Sequence, residues 1–302
     1  MKPALKISLP VVVGAKVFIA AIVLTCLVLT SAAQASIVTM GLIQDLNADV
    51  GVTGTSPVTA WANQGSLGAA GNVSSTGGIG SVTLLSGVAG THNALRFVSG
   101  SLLGTDASSY DSLANGSGFT WFAVIDADPA VGTPNSIWGT LTDGGLPYSG
   151  TTGGSVYGNT GMIRYRSSVG TDTVVRGTTD LSAGGYNILV GRLAAGTGNQ
   201  TAEIFVDSAT ADSLPAVIDI DGATDSEVLV VGYERPSGGE GFEGDLARLL
   251  IYNRPLSDAE LTDTGLALGT LYDINFVPEP TSLALAVMGL IGFVTFSRRR
   301  KK

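Results

Sequence analysis

Residues Gly241–Leu261 read GFEGDLARLLIYNRPLSDAEL, and this order decides how the fold closes. Phe242–Tyr252 reads as a strand, and Leu249-Leu250-Ile251 is apolar at successive positions, the pattern of a strand covered on both faces. Ser257-Asp258-Ala259-Glu260 then has the S-x-x-E form of a capping box. In that box the serine hydroxyl accepts from the Glu260 amide while the glutamate accepts from the serine amide. Leu256 and Leu261 occupy the staple positions around it. Leu266, Leu268 and Leu271 continue an imperfect apolar stripe toward Tyr272. A doubly covered strand followed at once by a capped helix is the expectation.

Outward from this stretch, short β-branched or aromatic runs recur between Gly, Asn, Asp and Ser clusters. They are Val38–Leu46, Val58–Trp61, Ser81–Leu85, Ala94–Val98, Phe119–Ile125, Ser136–Gly139, Met162–Arg166, Thr173–Arg176, Tyr186–Leu193, Thr201–Val206 and Glu227–Gly232. Runs at this spacing indicate an all-β sandwich or barrel. No fixed period repeats along the chain, which argues against a solenoid or propeller. Several runs alternate, as Thr201–Val206 does, placing one face in water. The helix is expected to pack across one end of the sandwich.

Gly241–Leu261 resembles the closing strand and helix of LamG-like, concanavalin A-type jelly rolls. The opening is similar too: Asp45-Leu46-Asn47-Ala48-Asp49, then Val58–Gly65 (VTAWANQG). Phe97-Val98-Ser99-Gly100-Ser101-Leu102 followed by Phe119–Ile125 resembles that family's step into a central strand. The resemblance implies an all-β, concanavalin A-like (LamG-type) jelly-roll β-sandwich over residues 36–275, with one short C-terminal helix.

Both ends read as addresses. Lys2, Lys6 and Lys16 precede the apolar run Val17–Leu29, and Ala33-Gln34-Ala35 offers the small-x-small pattern of signal peptidase, with cleavage before Ser36. Residues 1–35 are therefore expected to be a signal peptide, the alternative being a permanent N-terminal anchor. At the other end, Val277-Pro278-Glu279-Pro280 precedes an apolar segment, Thr281–Phe296, and the basic cluster Arg298, Arg299, Arg300, Lys301 and Lys302. The basic cluster should stay cytoplasmic and stop transfer through the membrane. The three parts over residues 276–302 resemble the PEP-CTERM sorting signal of Gram-negative bacteria. That resemblance implies a single transmembrane sorting helix, transient residence in the inner membrane and processing by an exosortase-type transpeptidase. Display at the cell surface or release, alongside exopolysaccharide and biofilm, would follow. A plain C-terminal anchor is the alternative.

Residues 36–277 contain 24 acids, eight arginines and no lysine, a net charge of −16. Such a surface repels phosphate backbones, so nucleic acid is excluded as a partner. The lone cysteine, Cys26, lies in the N-terminal apolar run, so the domain has no disulfide or thiolate chemistry. The one histidine, His92, cannot build a His-rich zinc site and reads as a solvated turn residue.

Glycosidases need two positioned carboxylates. The nearest arrangement, Glu243-Gly244-Asp245-Leu246-Ala247-Arg248, has arginine where a third acid would stand, and its acids suit solvent-facing positions. No catalytic residue is therefore expected. Asp45, Asn47 and Asp49 alternate oxygen ligands as a calcium loop begins, but Gly51 comes one place late and no glutamate closes an EF-hand. A structural calcium site of jelly-roll type remains open on those three residues. Sugar binding needs an aromatic platform, for which Trp138, Tyr148 and Tyr157 are the candidates, flanking the glycine-rich segment 139–161, whose length suggests a functional loop.

The leading expectation is an exported, non-enzymatic module that binds extracellular carbohydrate or matrix. A purely structural surface protein and a glycan-cleaving enzyme are the alternatives. An ice-binding role is disfavoured because the threonines are scattered apart from Thr171-Asp172-Thr173.

Overall fold

The structure is a computed structural model that describes residues 35–279 apart from 99, 105–107, 129–134, 143–150, 167–171, 214–215, 221–226 and 234–240. The strands begin with β1 (Leu42–Asn47), β2 (Val52–Thr53), β3 (Ala60–Trp61), β4 (Val73–Ser74), β5 (Ser81–Ala89) and β6 (His92–Val98). They continue with β7 (Leu102–Gly104), β8 (Phe119–Ala127), β9 (Asn135–Thr142), β10 (Thr151–Tyr157), β11 (Thr160–Arg166) and β12 (Asp172–Arg176). The last are β13 (Asn187–Leu193), β14 (Gly198–Val206), β15 (Ala216–Ile220), β16 (Glu227–Val231) and β17 (Glu243–Tyr252), followed by helix α1 (Asp258–Tyr272).

Two sheets stack as a sandwich. The first is eight-stranded in the order β15-β14-β13-β8-β17-β6-β5, with β1 also on β17. The second is nine-stranded in the order β12-β11-β10-β9-β16-β7-β4-β3-β2. On one side of β17, Glu243–Leu246 pairs with β6 and the remainder pairs with β1. The other side pairs with β8 through a register shift between Leu246 and Arg248. The closing strand is thus central, as its unbroken apolar run requires.

Alternation sorts the apolar residues into two cores. Phe119, Trp121, Ala123 and Ile125 of β8 join Leu249 and Ile251 between the sheets. Phe122 and Val124 join Ile188, Val190, Leu250 and Tyr252 on the outer face of the first sheet. That outer face needs a cover, and α1 supplies one with Leu261, Leu268 and Tyr272. The helix therefore lies on a sheet face and not across the sandwich end, because the β8, β13 and β17 residues facing away from the central core are themselves apolar. Each large side chain buried there contributes about 1.5–3 kcal/mol.

The segment 139–161 holds the end of β9 and all of β10 and is not one long loop. Gly154 within it and Gly191 on β13 clear space for indoles. A Cβ on Gly154 would stand 2.6 Å from both Trp121 Cζ2 and Trp138 Nε1, and one on Gly191 would stand 2.3 Å from Trp121 Nε1. The two indoles meet edge-on, with centroids 6.2 Å apart.

The capping box forms as its sequence requires: Ser257 accepts from the Glu260 amide, and Glu260 accepts from the Ser257 amide at 3.0 Å. Arg254 also donates to both Glu260 oxygens, at 2.9 and 2.7 Å. The arginine first, then the Ser257 amide, hold the Glu260 carboxyl down at about 2 from its usual 4.5. A carboxyl lowered in the folded state stabilises fully above its unfolded value, and this is lost as pH falls through the folded value. Ser257→Ala should cost about 1 kcal/mol in chemical denaturation. Glu260→Gln should flatten the fall in stability between pH 4.5 and 2, and an unchanged slope would remove Glu260 as its source.

Candidate functional site

The outer face of the second sheet holds a sugar-platform candidate. Val156, Ile163 and Val175 point into the central core, so Tyr157, Arg164 and Arg176 alternate to the opposite face. Register places Tyr157 opposite Thr160 and Arg176 opposite Met162. The Arg176 guanidinium lies 3.8 Å from the Tyr157 ring centroid, a cation–π contact at the surface end of the face. Further in, the same side is buried: Arg164, Ser136 and Ser155 are all recessed, and the two serine hydroxyls meet at 3.2 Å across β9 and β10. Trp138, the second candidate, is fully buried and lies edge-on to Phe119 and Trp121, so no ring face is open to a sugar. Gly154, its cross-strand neighbour, is the reason: with no side chain there, the indole turns into the core. Tyr148 lies outside the described residues. Arg176 was not singled out from sequence, since only the register of β11 and β12 brings it to Tyr157.

Four other described arginines behave differently. Arg96 binds both oxygens of Asp245 and reaches Asp128 at 3.2 Å. Arg192 binds Glu203 and Asp258, and Arg254 binds Glu260. Arg248 binds Asp45 through two bonds of 2.9 and 2.8 Å. Arg176 has a tyrosine ring where these four have carboxylates.

Asp245 is 4% exposed, not solvent-facing as its strand position suggested. The cause is Arg96, directly opposite on β6, which neutralises it in place. Tyr186 adds a hydroxyl bond to Asp245 at 3.2 Å. Asp126 stands opposite Asp245 on β8. Burial first, and then the Asp245 charge, push the Asp126 carboxyl above its usual range. Both Asp245 oxygens are engaged by the Arg96 guanidinium.

The calcium candidates are occupied by protein groups. Both Asp45 oxygens serve Arg248. Asn47 accepts from the Asp49 amide at 3.0 Å. Asp49 holds His92 Nδ1 at 2.5 Å and the Asn93 amide at 2.8 Å. His92 is therefore tied into the β1–β2 turn, its ring edge-on to Tyr272 at 5.0 Å, and is not a free loop residue. The three candidates serve different partners, and among the described residues no group of three or more His, Cys, Asp or Glu could hold a metal ion. The residues do not fit the expected cation. Asp45→Asn should cost about 3 kcal/mol by stranding the Arg248 charge. Calcium should leave the thermal midpoint unchanged, and a calcium-dependent rise would show that Asp45 can leave its arginine.

The two chain ends meet the fold abruptly. Ile37 and Val38 pack on the second core, and the Val38 carbonyl accepts from the Tyr252 hydroxyl at 2.9 Å. Ala35 and Ser36, expected to flank the signal-peptidase cut, lie just before this packing, while Ala33 is outside the described residues. At the far end Phe276 is buried, and Val277 forms a parallel bridge with Ser208. The boundary expected at 275 thus falls inside a packed segment. Val277 and Pro278-Glu279 are exposed. Pro280, the apolar run and Arg298–Lys302 lie outside the described residues. No helix among the described residues is long and apolar enough to cross a membrane.

Comparisons agree with this anatomy. Residues 276–301 match the model of the PEP-CTERM protein-sorting motif. Among solved structures, one described as a receptor binding domain aligns over 76% of this chain and 51% of its own length, with TM-score 0.52 and 11% identity. The binding domain of botulinum neurotoxin DC in complex with rat synaptotagmin II aligns over 76% and 52%, with TM-score 0.51 and 14% identity. A botulinum neurotoxin type C structure, whose title makes cell entry dependent on two ganglioside molecules, gives 76%, 51%, 0.52 and 11%. This chain spans about half the length of those chains, and what it shares with them is the fold. A search of curated proteins finds no match. Residues 104–262 match the family model of the concanavalin A-like lectin/glucanases, so the chain belongs to that superfamily.

Proposed function

We propose that this is an exported, exosortase-processed, non-enzymatic module that binds extracellular carbohydrate through the outer face of its second sheet. The observation that carries the binding surface is the Arg176–Tyr157 pair. A pyranose presents a polar hydroxyl rim, and the guanidinium stacked over the Tyr157 ring offers its multi-donor edge to that rim. In a domain with three acids for each arginine, this surface guanidinium is, among the described residues, paired with a ring and with no carboxylate. The gangliosides named for the type C neurotoxin structure are glycolipids, which supports glycan recognition on this fold.

Support for a non-enzymatic role comes from Asp245, whose oxygens are held by Arg96 and Tyr186. Support for sorting comes from the 276–301 match. The route it implies crosses the inner membrane of a Gram-negative cell, with signal peptidase acting before Ser36 and the transpeptidase at the C-terminal signal. The mature domain would then meet polysaccharide or matrix at the surface.

Titration of the exported protein with its host's extracellular polysaccharide, and with neutral and uronate-bearing glucans, tests this reading. Saturable binding is expected, weakened about tenfold or more by Tyr157→Ala or by Arg176→Ala, in line with 1–3 kcal/mol for a stacking contact or a charged hydrogen bond. Neither change should move the thermal midpoint by more than a few degrees. Binding that both variants leave intact would put the ligand elsewhere. Release of reducing ends from any of these glycans would overturn the non-enzymatic reading.

A further inference from the structure

A sheet edge presents unpaired amides and carbonyls that invite another strand, and folds usually guard it. The first sheet ends in β15 and β5, and the second in β12 and β2. β5 is guarded: its register breaks between Leu85 and Ala89, and the segment before β3 lies along it. There the Leu84 amide donates to the Thr55 carbonyl at 2.8 Å, and the Val58 amide donates to the Val82 carbonyl at 2.7 Å. The free side of β1 is covered likewise, the Gln64 and Ser66 amides donating to the Asp45 and Leu42 carbonyls at 2.8 and 2.9 Å. β2 has only two residues. β15 carries the exposed Asp219, with no basic residue in the strand to answer it. β12, Asp172-Thr173-Val174-Val175-Arg176, has no proline, no lysine and no bulge, and its register with β11 is unbroken.

The backbone direction of β12 follows from one bond. The Gly177 amide donates to the Gly161 carbonyl at 2.8 Å, one step beyond the pairing of Arg176 with Met162. Antiparallel residues alternate between turning both backbone groups to one neighbour and to the other. Val175 and Thr173 therefore also turn theirs to β11, whereas Asp172, Val174 and Arg176 turn theirs to the open edge. Among the described residues no strand lies beyond that edge. Val174 is 38% exposed. A long basic side chain often screens such an edge, but Arg176 reaches inward across β11 to the Tyr157 ring on β10.

We infer that β12 is an interaction edge and that its partner is β12 of a second copy of this chain, paired antiparallel about Val174. In that register Val174 faces Val174 of the second copy, and Arg176 faces Asp172 of the second copy. Opposite charges then flank an apolar centre, and like charges never stand opposite each other. These are also the residues whose backbone groups point outward, so each pair exchanges both of its ladder bonds. The order D-T-V-V-R is thus its own complement, and a two-fold axis through Val174 closes the assembly at two copies. A five-residue edge buries less surface than a standard stable interface, so the dimer forms as concentration rises. Pairing joins the two second sheets into one surface that carries two Tyr157–Arg176 pairs. A long polysaccharide would then meet two binding points on one assembly. That consequence, unlike the pairing itself, rests on the glycan reading above.

Sedimentation of the exported protein over a range of concentrations, with no glycan present, tests this. Monomer should give way to dimer as concentration rises, and amide exchange in residues 172–176 should slow in step. Val174→Lys places two like charges at the centre of the register. Val174→Pro removes one outward amide from each copy and leaves the ladder to β11 whole. Either change should raise the concentration of half-dimerisation by about tenfold or more, while the monomer still melts cooperatively. Protein that stays monomeric throughout, or a dimer that neither change weakens, would overturn the inference. Exchange in 172–176 that is independent of concentration would overturn it without any variant, so a variant that fails to fold leaves the test intact. Glycan binding enters neither readout, and its failure would count against the glycan reading alone.

Discussion

The first sheet is apolar on both faces, and much of the architecture answers that constraint. One face meets the second sheet. The other presents Phe122, Val124, Ile188, Val190, Leu250 and Tyr252, which would stand in water without a cover. Helix α1 covers them, and the two ends of the domain complete the cover. Val38 arrives from the N-terminal side, its amide donating to Thr264 on α1 at 3.3 Å, and Phe276 returns from the C-terminal side onto Gly265. One helix thus receives both ends of the described domain.

Polar residues at the border of that covered face are paired and recessed. Asp45 with Arg248, and Asp245 with Arg96, sit beside the apolar patch and neutralise each other across strands. Residues that looked available for metal binding or acid–base chemistry are in this way engaged in holding the sheet. The second sheet differs at its β10–β12 end, where Arg176 rests on the Tyr157 ring. The binding surface proposed here accordingly lies on the sheet that the helix does not cover.

Much of this was legible in the sequence where the cause is local. The capping box needs only Ser257 and Glu260, and it forms as read. The closing strand announced its central position through Leu249-Leu250-Ile251, and the tripartite C-terminus announced sorting through residue types in order. Where α1 lies was not legible, because it depends on which apolar residues of β8, β13 and β17 are left over once the sheets have stacked. Gly153-Gly154 read as loop residues, yet β10 needs Gly154 to be bare so that Trp121 and Trp138 can meet. That misreading also made Trp138 a surface candidate. The partners of Asp45 and Asp245 lie 203 and 149 residues away, beyond any local pattern.

With the first sheet covered by the helix, the proposed glycan-binding face is the outer face of the second sheet. Amide hydrogen exchange of the exported protein, with and without its host's extracellular polysaccharide, is the decisive measurement. Added polysaccharide should slow exchange in β10, β11 and β12 around Tyr157 and Arg176 and leave α1 and its neighbours unchanged. Protection confined to α1 and the outer face of the first sheet, or no protection at saturating polysaccharide, would contradict it.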